Sequence, residues 1–255
     1  MHFSRLRFIF SLIFIITFLP GSGSGGNQFW DFPPLPEPQD YGDILMDRVS
    51  SAAGANPVFF SHWRHRIKYS CRVCHFELDI AFTNGETLIT EEDNRNGLFC
   101  GACHDGTAAF GHTEENCGRC HTGMIVSHQE EFMEFSQKVK EAPFGNKLNW
   151  ADAVESGAIN PVYSIYNQDE KPLGYDQKLE LKANWAFVPP AYFDHKTHTR
   201  WLDCANCHPD IFNVQKKTTK HFSMKYILES KFCGVCHLRI AFPLDDCKGC
   251  HPTIK

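Results

Sequence analysis

The sequence predicts two small, mostly irregular units with short α-helices and little β-structure, neither closing around a polypeptide core of its own. Three observations predict this. All twelve cysteines sit in one pentapeptide, Cys-x-x-Cys-His, present six times. The six copies fall into two groups of three at matching spacings. Each group spans only about 70 residues, a length that rarely buries enough apolar surface unaided.

The pentapeptides read CRVCH (71–75), CGACH (100–104), CGRCH (117–121), CANCH (204–208), CGVCH (233–237) and CKGCH (247–251). Residues at i, i+3 and i+4 share one face of a helical turn. Cys-x-x-Cys-His is the attachment pattern of c-type haem: the two sulfurs form thioethers to the vinyl groups on one porphyrin edge, and the imidazole reaches the iron. The thioether pairs are then Cys71/Cys74, Cys100/Cys103, Cys117/Cys120, Cys204/Cys207, Cys233/Cys236 and Cys247/Cys250. They imply six covalently bound haem c groups. His75, His104, His121, His208, His237 and His251 each supply one axial ligand. Gly takes an x position in four of the six copies, where bulk beside the macrocycle is expected to be excluded. Zinc held by paired Cys-x-x-Cys turns leaves the adjacent His without a role. Six identical units make an odd disulfide framework, and no βαβ pattern accompanies them as a thioredoxin-like pair requires.

The chain begins with a basic segment, MHFSRLR, then a twelve-residue apolar stretch at 8–19, Pro20 and the small-residue run GSGSGG. This is the layout of a secretory signal peptide, predicted over 1–26; a spanning helix needs about twenty apolar residues. An exported bacterial protein of the periplasm or outer cell surface follows. The formal net charge of −5 becomes −7 once 1–26, with Arg5 and Arg7 and no acid, are removed. Such a surface suits a partner with a basic patch and argues against nucleic acid.

An internal repeat organises the remainder. PVFFSHWRH (57–65) aligns with PAYFDHKTH (190–198), so that His62 and His195, His65 and His198, Cys71 and Cys204, and Cys100 and Cys233 are all 133 residues apart. The domains read as a Pro-rich lead at 27–56, unit 1 at 57–126, a linker at 127–184 and unit 2 at 185–255. Within the lead, DFPPLPEPQDYG (31–42) reads as extended, polyproline-like chain. The linker begins with a charged helix at about 128–140, after which Pro and Gly break it into loops wrapping the units. A two-stranded element is expected at the start of each unit. Haem itself is expected to form the cores, with phenylalanines such as Phe59, Phe60, Phe99, Phe110, Phe193, Phe232 and Phe242 packed on porphyrin faces.

Six irons call for up to six further ligands. Outside the motifs and His2, the histidines are His62, His65, His112, His128, His195, His198 and His221. The i, i+3 pairs His62/His65 and His195/His198 recur in both units, which points them at two closely spaced irons.

The F-x-H-x-x-H segment followed by three Cys-x-x-Cys-His motifs resembles the triheme class III cytochromes c of the c7 type, and the tandem pattern resembles their multidomain "nanowire" arrays. The resemblance covers both units and neither the lead nor the linker. It implies that His62 ligates the Cys71/Cys74 haem and His65 the Cys100/Cys103 haem, with His195 and His198 serving the Cys204/Cys207 and Cys233/Cys236 haems. It also implies that the third haem takes a ligand from just before the second motif, which in tandem relatives can be Met. Unit 2 offers His221 or Met224 for the Cys247/Cys250 iron. Unit 1 has Glu91 where Met224 aligns, so His112 or His128 serves the Cys117/Cys120 iron, or that iron is open.

The function expected is single-electron relay in anaerobic respiration or extracellular electron transfer, with no small-molecule substrate required. Partners would be redox proteins, such as a membrane quinol-oxidising complex or other cytochromes. The alternative is a multihaem reductase with one open-coordination haem. A third reading is a non-catalytic subunit of a respiratory complex or filament.

Overall fold

The computed structural model describes residues 34–183, 187–215 and 219–255. The predicted signal peptide and the lead up to residue 33 lie outside the described residues. Among the described residues no helix is long and apolar enough to cross a membrane.

The segment 31–42 departs in part from the extended conformation expected of it. Pro38–Asp40 forms a 3-10 turn with Pro38 at its start, where the fixed φ of proline is pre-organised. The turn is held down by Trp63, whose Nε1 donates to the Gln39 carbonyl at 3.0 Å. Strand β1 (Ile44–Met46) follows, then helix α1 (Arg48–Ala52) and strand β2 (Val58–Phe60). The strands pair antiparallel with Ile44 opposite Phe60 and Met46 opposite Val58. β2 runs directly into α2 (His62–Arg66), which carries the first histidine pair.

The motifs then follow on short turns. Val73–Glu77 is a π-helical turn. Helix α3 (Glu91–Arg95) is closed by a capping box in which Thr90 and Asp93 satisfy each other's backbone N–H groups. Phe99–Ala102 is a 3-10 turn, and α4 (Cys117–Cys120) is one α-helical turn. The linker contributes α5 (Gln129–Ser136), α6 (Trp150–Glu155) and β3 (Lys178–Leu181). β3 pairs antiparallel with β4 (Ala191–Asp194), Lys178 opposite Asp194. The second half repeats the first: α7 (His195–Thr199), a 3-10 turn at Cys204–Asn206, α8 (Met224–Leu228), α9 (Gly234–His237) and α10 (Cys247–Cys250). The two hairpins expected are present, and each draws its first strand from outside the aligned segments, from the lead and from the linker.

At two of the four motif glycines the backbone itself gives a further reason for glycine, beside the one expected. A Cβ on Gly101 would lie 1.9 Å from the Asn94 carbonyl oxygen, and one on Gly234 would lie 1.9 Å from that of Ile227. Asn94 and Ile227 are equivalent in the repeat. The end of the preceding helix therefore presses against the attachment turn, and only Gly admits it. Gly118, by contrast, faces open space.

The linker does more than wrap. A buried apolar cluster joins Trp63 and Trp201, one from each repeat, to Phe132, Val139, Leu148, Trp150, Ala153 and Ile159 of the linker. Residues 34–255 form one body, and the first attachment turns of the two repeats touch within it. The Arg72 N–H donates to the Trp201 carbonyl at 2.8 Å, and Asn206 Nδ2 donates to the His75 carbonyl at 3.0 Å. The Arg72 guanidinium pairs with Glu77, with Glu170 at 2.7 Å and with Asp203 at 3.2 Å. One buried fork thus ties motif one, the linker and the residue preceding Cys204.

Candidate haem-attachment and axial-ligand sites

In five of the six motifs the histidine N–H donates to the carbonyl of the first cysteine at 2.8–2.9 Å, closing a single helical turn. That turn is what brings both sulfurs and the imidazole to one side. The twelve thiols are unbridged. Burial pushes Cys74, Cys233 and Cys236 up to about 12 and Cys100, Cys207 and Cys250 up to about 11. Burial thus favours the protonated thiol at these six positions. Among the described residues no three His, Cys, Asp or Glu side chains gather as a ligand set for a bare metal ion.

The histidines separate into two kinds. His75, His104, His121, His208, His237 and His251 each direct Nδ1 at a backbone carbonyl, those of Ile80, Phe110, Asn56, Phe212, Phe242 and Pro189, at 2.6–3.2 Å. His62, His65, His195 and His198 do the same toward Gly42, Ser61, Gln177 and Asp194 at 2.6–2.8 Å. A carbonyl can only accept, so Nδ1 carries the proton and the Nε2 lone pair is left for a metal. Such hydrogen bonds orient ligating imidazoles. Burial lowers His62 to about 3 and His237 to about 4, and it lowers His65, His75, His104 and His198 as well. The neutral form that ligation requires is thus favoured. Aromatic rings fix the imidazoles further: Phe60 stacks on His65 and Phe193 on His198, each at 4.3 Å between centroids.

Two facing pairs test the fit of a haem iron. The rings of His65 and His104 stand 6.2 Å apart, and those of His198 and His237 stand 6.1 Å apart. Two metal–nitrogen bonds of about 2 Å each plus the ring radii need about that span. His62 is likewise within electrostatic reach of His75. The residues fit the group.

Among the described residues the remaining candidates show no hydrogen bond from Nδ1 to a backbone carbonyl. His128 accepts from Arg64 through Nε2 at 3.2 Å. The carbonyl of His112 accepts from Arg95 at 3.0 Å, and its ring lies within electrostatic reach of His104. His221 has a positive φ of 59°, with its ring 5.9 Å from Tyr226. Met224 opens α8 and is partly exposed. Glu91, at the equivalent place on α3, is paired with Arg95 at 2.6 Å.

The attachment points form a connected series, read from which thiols act electrostatically on which. Cys120 acts on Cys100, Cys100 on Cys74, and Cys71 on Cys236. There the series divides, toward Cys207 and, through Cys233, toward Cys250. The junction between repeats was not readable from the sequence. Its marker there, Arg66 and the surrounding tryptophans, looks like ordinary basic and aromatic neighbours of a histidine pair.

A family model described as cytochrome c7 and related cytochrome c matches residues 58–122 and again 191–252. Among solved structures, the c7-type three-heme cytochrome domain is 33% identical over 31% of this chain and 91% of that one, with a TM-score of 0.27. The C-terminal hexaheme fragment of GSU1996 is 27% identical over 87% of this chain and 99% of that one, with a TM-score of 0.28. The dodecaheme cytochrome c GSU1996 is 24% identical over 84% of this chain and 75% of that one, with a TM-score of 0.29. No curated protein matches the chain.

Proposed function

The chain belongs to the family of cytochrome c7 and related cytochromes c, and on that membership we propose that it binds six haem c groups and relays single electrons through them. Haem c as cofactor and electron transfer as the class of function come with the family. Bound haem supplies a one-electron iron couple whose potential is set by axial ligand, burial and hydrogen bonding. The chain's own residues attach, orient and shield it. The observation that carries the reading is the set of ten histidines whose Nδ1 protons are committed to carbonyls. Six belong to the motifs and four to the F-x-H-x-x-H segments.

In this reading His62/His75, His65/His104, His195/His208 and His198/His237 hold four irons from both sides. His121 and His251 hold the other two, with His112 or His128 and His221 or Met224 as partners. Export to the periplasm or outer surface rests on the basic, apolar and small-residue order of residues 1–26. A role in anaerobic respiration or extracellular electron transfer follows from that location. The partners are redox proteins, a membrane quinol-oxidising complex or other cytochromes.

The test combines a pyridine haemochrome count with paramagnetic resonance of single variants. Six haems per chain are expected. H65A and H198A should each abolish one bis-histidine low-spin signal, while H128A should change at most the signal of the His121 iron. A count of three, or an unchanged spectrum in H65A or H198A, sinks the assignment.

A further inference from the structure

The chain enters β1 through Asp40, Tyr41, Gly42 and Asp43. The Asp43 N–H donates to the Asp40 carbonyl at 3.1 Å, and Gly42 has a positive φ of 89°. The chain therefore doubles back, and the two carboxylates come within electrostatic reach of each other. The β1–β2 ladder, with Ile44 opposite Phe60, carries Asp43 opposite Ser61. Ser61 is only 3% exposed. Its Oγ lies beside the Asp43 carboxylate, yet no hydrogen bond joins them. Four oxygens here, Asp40 Oδ1, both of Asp43 and Ser61 Oγ, are shut off from solvent by the chain itself and have no hydrogen-bond partner. Arg64 is within electrostatic reach of Asp43, but its guanidinium pairs with Glu131 at 3.0 Å on the exposed side of α2.

The second repeat fills the same place in another way. Lys178 stands opposite Asp194, at the positions of Asp43 and Ser61, and its ammonium acts on the Asp194 carboxylate. A cation of the chain's own thus faces the carboxylate there. In the first repeat a carboxylate takes the place of the lysine, and Asp40 adds a second. Enclosing such oxygens without a cation or a donor is costly. The site therefore has the charge and the hard donors for a cation that the chain does not provide.

We propose that Asp40, Asp43 and Ser61 form the protein part of a binding site for a hard, calcium-like divalent cation at the base of the first hairpin. Calcium takes about 6–8 oxygens at about 2.3–2.6 Å, carboxylates binding through one oxygen or two and waters completing the set. Asp40 is partly exposed, which leaves one side open to those waters. Magnesium demands a near-ideal octahedron, which so irregular a donor set does not supply. The place matters for the histidine pair. His62 Nδ1 donates to the carbonyl of Gly42, next to Asp43, at 2.6 Å, and His65 Nδ1 donates to the carbonyl of Ser61 itself at 2.8 Å. A cation on Asp43 and Ser61 thus fixes the backbone that aims both imidazoles. The site stands on these oxygens and not on the six-haem reading.

The measurement is isothermal titration of calcium chloride into the chelator-treated full chain as wild type, D43N and D43K. The wild type is expected to take up one calcium with a dissociation constant of about 10⁻⁴–10⁻³ M, the range of sites with few charged ligands, and D43N to bind about tenfold more weakly. D43K, which restores the lysine arrangement of the second repeat, should fold and take up no calcium at this site. Calcium should raise the melting temperature of the wild type and leave that of D43K where it was. No uptake by the wild type, or uptake undiminished in D43N and D43K, overturns the proposal, because calcium then lies elsewhere on the molecule. Should neither variant fold, amide chemical shifts of the wild type decide: calcium is expected to move those of Gly42, Asp43 and Ser61, and their constancy overturns the proposal.

Discussion

A methyl group is enough to disturb the attachment turns. At Gly101 and Gly234 an added Cβ meets a backbone carbonyl oxygen at 1.9 Å, and backbone cannot swing aside as a flexible side chain does. G101A or G234A should lose about 1–3 kcal/mol by overpacking, whereas G118A should leave the melting temperature unchanged. Tyr163 gives a second residue-scale expectation. Its hydroxyl donates to the Leu202 carbonyl at 3.3 Å, and burial, reinforced by Asp203, pushes it up to about 12 from 10.0. The folded state then holds a proton that the unfolded chain releases first. Stability from this group is intact below pH 10 and is lost as the pH rises toward 12. Denaturation at stepped alkaline pH should show that decline, and Y163F should make it shallower, the Tyr41 and Tyr69 hydroxyls, also pushed up by burial, accounting for the remainder. At this scale the sequence was most informative. Cys71, His75 and their five counterparts are defined by spacing within one turn, and spacing is local. The hydrogen bonds that distinguish His65 from His128 were hidden, because their acceptors are backbone carbonyls that no residue type marks.

Between elements, the decisive contacts join segments far apart in the chain. Arg72 sits on the first attachment turn and meets Asp203, 131 residues later. Glu77 beside it is almost wholly buried and also accepts from the Ile165 N–H at 2.9 Å. R72M should cost about 3–5 kcal/mol, because it leaves a buried carboxylate without its cation; thermal unfolding followed by circular dichroism reads it directly. The two hairpins were foreseeable from the runs VFF and AYF preceding each histidine pair. The contribution of α6 was not. Trp150 lies in a stretch whose Pro and Gly content reads as loop, and its burial depends on Trp63 and Trp201, both remote in sequence. Local pattern reports what a segment tends to do alone, and here tertiary packing decided.

At the scale of the whole molecule, the repeat suggests two modules and the packing makes one. The cluster around Trp63, Trp150 and Trp201 is shared by both repeats and the linker. A chain lacking 127–184 should therefore lose its single cooperative calorimetric transition rather than show two domains melting independently. The protein's formal net charge of −5 should make association with a basic redox partner weaken as salt rises, since screening shortens to ~8 Å at physiological ionic strength.

The thiol series has a topology of its own. The attachment points are joined as a ring with arms rather than a line: two motifs of the first repeat lead to Cys71/Cys74, which meets both the Cys204/Cys207 turn, through Arg72 and Asn206, and Cys236. Loss of the Cys117/Cys120 vertex trims a tip and leaves the other five joined. Loss of the Cys233/Cys236 vertex leaves the repeats joined through their first attachment turns and isolates only Cys247/Cys250, so the consequence of a missing attachment point depends on the connectivity of its place and not on its order in the chain.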